Sequence, residues 1–97
     1  MSLPGETMAH TIRQKEKLMA RVRRLKGQLD GVEKALAAEV ACGEVLRQLA
    51  SIRGAVSGLT AELMEDHLRG HVLHADSETD RREGAEEMIE VIRTYLK

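Results

Sequence analysis

The chain predicts an all-α fold, and three observations carry that prediction. Leu18, Val22, Leu25, Leu29, Val32 and Leu36 recur at alternating spacings of 4 and 3, the period of one helical face. Val45, Leu49, Ile52, Val56, Leu59 and Leu63 repeat the same pattern in a second stretch. The composition, 42% apolar and 32% charged over 97 residues, is that of a soluble helical protein. With no Phe, no Trp and one tyrosine, the core must be built from Leu, Ile, Val, Met and Ala.

The first helix is expected over about 11–38. Gly27 and Gly31 weaken it by about 1 kcal/mol each, and their small size lets another helix approach. Glu39 to Gly43 is the break, with Cys42 in the first turn of the next helix, expected over 42–74. Cys42 and His67 extend the apolar stripe of that helix at its two ends, and Ala50, Gly54, Gly58 and Ala61 beside it suit close helix packing. Ala75 to Arg82 is polar, has no apolar period and reads as a loop. A short third helix over 82–96 then buries Ala85, Met88, Ile92 and Tyr95 or Leu96. Residues 1–7, MSLPGET, precede a second methionine and read as a leader, since Met8-Ala9-His10 is a natural start. Residues 8–97 make a single helical domain. A chain this short buries a modest core, so oligomerisation is the expected source of further buried area.

No run approaches the roughly 18–20 apolar residues of a membrane span, and no secretory signal is readable, so the expected compartment is the cytoplasm. A single cysteine cannot form an internal disulfide, in keeping with a reducing compartment.

The net charge of −1 hides a strong asymmetry. From Arg13 to Lys26 seven Lys or Arg stand against one acid, whereas Thr60 to Lys97 carries ten acids against five bases. Arg13, Lys17, Arg21, Arg24 and Gln28 fall on one polar stripe opposite the apolar seam, flanked by Arg23 and Lys26, and Arg53 of the second helix can join it. A charged face of this kind is often merely solvated. Acids at i,i+4 are scarce here, which points to a nucleic-acid surface, and the absence of aromatics on it favours double-stranded DNA over stacked single strands.

Cys42 and His67 lie 25 residues apart on one helix, which returns their side chains to within about 20° of each other and about 37 Å apart along the axis. Only a second chain can bring them together. If two copies pack antiparallel, Cys42 of one lies beside His67 of the other, with His71 one turn on. His67 and His71 have the i,i+4 spacing that lets two imidazoles share a metal. Helix-end histidines also favour the carboxyl-terminal dipole, and a lone cysteine is often a buried small hydrophobe. The phase agreement of these residues, with His10 near the chain start, shifts the reading to a soft-ligand site for nickel, cobalt, zinc or copper. His74 has no assigned role. Catalysis by a Cys42 nucleophile with His67 as base is conceivable across such an interface, but no oxyanion-hole motif or substrate pocket is readable, so an enzyme is not expected. An RNA-binding bundle indifferent to metal is the other rival.

Taken with HTIRQKEKL near the start, RVRRLKGQLDGVEKAL, the isolated Cys42, QLASIRGAVSGLTAELMEDHL and the ending IRTYLK, the chain resembles the CsoR/RcnR/FrmR family of bacterial repressors over nearly its whole length. The resemblance implies a three-helix protomer in an antiparallel homodimer, usually paired into a homotetramer, that coats operator DNA until an effector binds. It places the effector ligands on His10, Cys42, His67 and His71, a pattern similar to the nickel- and cobalt-responsive branch, with Zn(II) or Cu(I) as further ions such a donor set takes in vitro. Arg21 and Arg24, helped by Arg13, Lys17, Arg23 and Arg53, would hold DNA phosphates. Copper-responsive members carry a second cysteine near the position of His71, and this chain has none. Ala41 and Gly70 stand where the nickel sensors carry acids. Formaldehyde-responsive members, whose RVRR run is also similar, imply an alternative in which Cys42 and the amine of Ala9 capture the aldehyde.

Overall fold

The computed structural model describes residues 12–97, with side chains from Gln14 onward. Ala9, His10, the side chain of Arg13 and residues 1–7 lie outside the described residues. Three helices follow one another: α1 (Ile12–Ala37), α2 (Cys42–Leu68) and α3 (Glu78–Tyr95), with a π-turn (Arg69–Leu73) continuing α2. No strand occurs among the described residues.

The break between α1 and α2 is made by backbone geometry. Glu39 adopts the left-handed conformation at φ 54°. Its N–H donates to Leu36 O at 3.1 Å and that of Val40 to Ala35 O at 3.0 Å, the paired bonds of a Schellman cap closing the last carbonyls of α1. Helix α2 then starts on Ala41, whose carbonyl accepts from the N–H groups of Glu44 and Val45 at 2.9 and 3.3 Å.

Two expectations are corrected here. The second helix does not stay α-helical to His74: from Arg69 it widens into a π-turn, in which the His74 N–H reaches back five residues to Arg69 O at 2.9 Å. The third helix begins at Glu78, inside the stretch read as a loop to Arg82. Ser77 is extended (φ −147°, ψ 165°) and its hydroxyl accepts from Asp80 N–H at 3.1 Å. Acidic Glu78 and Asp80 complement the positive end of the helix, and Arg81 pairs with Glu78 at 3.1 Å.

The contacts divide the chain into two compact units, one ending at Thr60 and the other covering Ala61–Lys97. In the first, Val32, Ala35, Val45 and Ile52 are buried, and Leu25 packs against them. One neighbouring helix covers only one of the two rows in each 4-3 stripe. Leu29, Leu36, Leu49 and Val56 of the other rows are left 53%, 61%, 43% and 43% exposed. In the second unit the buried residues are Gly84 and Met88, with Ala85 and Val72 half-buried. Ile92, Tyr95 and Leu96, expected in the core, are exposed, because α3 docks through its first half against the π-turn. No helix among the described residues is long and apolar enough to cross a membrane.

Candidate metal centre and nucleic-acid interface

Cys42 is the first residue of α2 and carries an exposed free thiol. At the other end of that helix, His67 occupies the last α-helical turn and His71 lies within the π-turn. Their ring centroids are 4.8 Å apart with an interplanar angle of 38°. The widened turn therefore keeps the two imidazoles side by side.

Helix α3 fixes the His67 ring. Its Nε2 lies 3.0 Å from Gly84 O, and a carbonyl can only accept, so the proton sits on Nε2. Glu87 Oε1 stands 3.7 Å from the same nitrogen. The lone pair of the neutral ring is thereby assigned to Nδ1, the arrangement that a hydrogen-bonded metal ligand requires. His71 is exposed and unencumbered by burial, while His67 is half-buried. Two further contacts hold this corner together. Arg81 Nε donates to Val72 O at 3.1 Å, satisfying a carbonyl at the end of the π-turn. Gly84 lies so close to the His71 main chain that a Cβ there would stand 2.8 Å from the carbonyl carbon.

Among the described residues no group of three His, Cys, Asp or Glu side chains is placed to hold a metal ion. His67 and His71 present two imidazoles side by side, donors of a chemistry that suits borderline ions. His10 lies outside the described residues. Gly84, Glu87 and Arg81 escaped the sequence reading. The only local signal for them was a glycine next to the apolar Ala85 and Met88, since nothing in the spacing of His67 and His71 distinguishes an α-turn from a π-turn.

The basic face is carried by α1. Lys17, Arg23, Arg24 and Lys26 are exposed, as is Arg53 on α2. Arg21 differs: it is half-buried, with its guanidinium over Gly58 of α2. Gln28, of the same stripe, likewise turns to α2, its Nε2 donating to Ser51 Oγ at 3.5 Å, so these two positions flank the helix contact and do not lie opposite it as expected; beyond the stripe, Lys34 is paired with Asp30 at 3.2 Å. The exposed cations have the sign that attraction to a phosphate backbone requires.

Comparison with known proteins bears on both surfaces. A family model described as metal-sensitive transcriptional repressor matches residues 14–94. A protein encoded in the bioA 5′ region of Serratia marcescens is 46% identical over 91 residues, covering 93% of this chain and 100% of the relative. The transcriptional repressor RcnR of Citrobacter koseri is 41% identical over 90 residues, with 93% and 100% covered. Among solved structures, a variant of the formaldehyde-responsive regulator FrmR from Salmonella enterica serovar Typhimurium superposes with a TM-score of 0.82 at 33% identity, over 89% of this chain and 98% of that one.

Proposed function

The chain belongs to the family of metal-sensitive transcriptional repressors, which are not enzymes, and on that footing we propose that it is a homo-oligomer released from double-stranded operator DNA by Ni(II) or Co(II). The ligands are His10, Cys42, His67 and His71, drawn from two antiparallel chains. The observation that carries this reading is the His67/His71 pair, presented side by side with Nε2 of His67 engaged by Gly84 O, where the described part of one chain offers no third ligand. The likeness to RcnR supports the repressor reading, and the ligand pattern that the family resemblance implies favours the nickel and cobalt branch. Exposed Leu49, Val56 and Leu63 share a seven-residue row with Cys42 and supply an apolar surface for the second chain.

Arg13, Lys17, Arg21, Arg23, Arg24 and Arg53 hold phosphates, the guanidinium forks orienting the duplex and DNA shape contributing to site choice. Ligation requires Cys42 as the thiolate and neutral imidazoles, so effector binding expels protons. A bound ion ties α2 of one chain to the start of α1 and to α2 of the other. An effector that prefers the DNA-incompetent arrangement about a hundredfold weakens operator binding by about 3 kcal/mol.

The likeness to the FrmR structure supports a second reading, formaldehyde sensing. The Cys42 thiol would add to the aldehyde carbon to give a hydroxymethyl thioether. The amine of Ala9, in a chain starting there, would then displace the hydroxyl as water to leave an S–CH2–N bridge.

Operator binding titrated with Ni(II), Co(II), Zn(II), Cu(I) and formaldehyde, in protein starting at Ala9 and in its His71→Ala variant, separates the two. Release by nickel or cobalt that is lost in the variant establishes the metal reading. Release by formaldehyde alone, indifferent to His71, establishes the aldehyde reading.

A further inference from the structure

Two contacts set the register of α1 against α2 in the unit ending at Thr60. Gln28 meets Ser51, and Arg21, two turns earlier on α1, meets Gly58, two turns later on α2. The helices therefore run antiparallel with these residues facing each other. At Gly58 the bare backbone leaves a notch, and Arg21 Nη2 lies 3.1 Å from where a Cβ would stand, the one neighbour within 4 Å. Gly54, one turn earlier on the same helix, faces nothing within 4 Å. Glycine weakens a helix at either position relative to alanine, so Gly58 brings no local benefit to α2. What it provides is a seat for a guanidinium.

From this we infer that Gly58 is a positioning residue for DNA binding: its notch holds Arg21, alone among the described cations of the basic face, in a pose set by α2. The inference rests on the repressor reading above and adds a link to it. An arginine left in solvent must give up most of its rotamer freedom to hold a phosphate, and one already laid against a neighbouring helix has given up part of it beforehand. Because α2 also carries Cys42 and His67, a shift of α2 along α1 moves the Arg21 seat with it. Lys17, Arg23 and Arg24, exposed on α1, do not report such a shift.

The test measures affinity and salt dependence for a duplex selected from genomic fragments by the wild-type chain, using wild type, Gly54→Ala, Gly58→Ala, Arg21→Lys and the Arg21→Lys/Gly58→Ala double variant. A Cβ at Gly58 displaces the guanidinium by a few tenths of an ångström, and Gly58→Ala is expected to bind about fivefold more weakly, with a salt slope shallower by up to about one phosphate contact. Gly54→Ala is expected to bind as wild type. Both alanine variants should unfold at higher temperature than wild type, which separates the effect from damage to α2. In the Arg21→Lys background Gly58→Ala should cost nothing further. A second measurement needs no variant: the Nε–H group of Arg21 should show slower motion by NMR relaxation than those of Arg23 and Arg24. Wild-type affinity in Gly58→Ala, an equal loss in Gly54→Ala, a loss that persists beside Arg21→Lys, or an Arg21 group as mobile as its neighbours would each overturn the inference and leave the repressor reading standing. Failure of the wild-type chain to select any duplex would overturn both.

Discussion

Gly84 of α3 lies against both candidate imidazole residues: its carbonyl accepts from His67 Nε2 at 3.0 Å, and its missing Cβ leaves the space that the main chain of His71 fills. One residue thus aligns the His67 ring and fixes the π-turn that carries His71. Substituting alanine there forces a Cβ into the His71 backbone, which has no flexible end to swing aside. The overpacking costs about 1–3 kcal/mol and exceeds the roughly 1 kcal/mol of helix propensity that alanine brings. Gly84→Ala should therefore lower the thermal midpoint by several degrees, read by circular dichroism, and weaken metal binding with it. A midpoint at or above wild type would show that α3 does not dock through this contact.

His67 and His71 should behave differently although they are one turn apart. Half-buried His67 donates to a buried partner, and His67→Leu removes that hydrogen bond at a cost of about 1 kcal/mol in stability. Exposed His71 makes no such contact, and His71→Ala should leave stability within about 0.5 kcal/mol. Both should reduce Ni(II) or Co(II) affinity by at least about a hundredfold, since losing even a partner of a ligand costs 10–100-fold. Urea denaturation beside metal titration checks the contrast, and equal stability loss in both variants would contradict it.

The helices themselves were legible because apolar spacing is a direct record of which face is buried. Val32, Val45 and Ile52 are buried where the stripes place them, and Ala35, beside the first stripe, joins them. The stripe cannot say how many neighbours cover it, so Leu29 and Leu36 read as core and stand exposed in the chain alone. The start of α3 was misplaced because its signal, Ser77 followed three residues later by Asp80, is a hydrogen-bonding pattern and not a hydrophobic period. The π-turn was illegible because widening a turn changes which carbonyl an N–H reaches without altering the order of side chains. Of the candidate site, the side-by-side placing of His67 and His71 follows from their i,i+4 spacing. The roles of Gly84 and Glu87 depend on how α3 docks, which no local pattern encodes.

Glu39 offers a gain in stability. It holds φ 54° at the position after the cap of α1, where any Cβ crowds the backbone and glycine does not. Glu39→Gly should stabilise the chain by about 1 kcal/mol by denaturant unfolding, with operator binding and metal response unchanged. Destabilisation would mean that the carboxylate makes a contact worth more than the strain.

The exposed row on α2 decides whether the metal site needs two chains. Leu49 is 43% exposed, so a carboxylate there keeps access to water and costs the isolated chain little. In the antiparallel register that sets Cys42 beside His67 of a second copy, the counterpart of position 49 is Thr60, whose hydroxyl cannot neutralise a charge. Leu49→Glu would then bury an unpaired carboxylate at the interface, a penalty of several kcal/mol that a dimer does not survive. Sedimentation should show a helical monomer that has lost high-affinity metal binding, while Leu49→Met should retain the oligomer and the site. A Leu49→Glu monomer that still binds Ni(II) as tightly as wild type would place the whole ligand set within one chain and remove the reason for assigning Cys42 to the His67 and His71 of another.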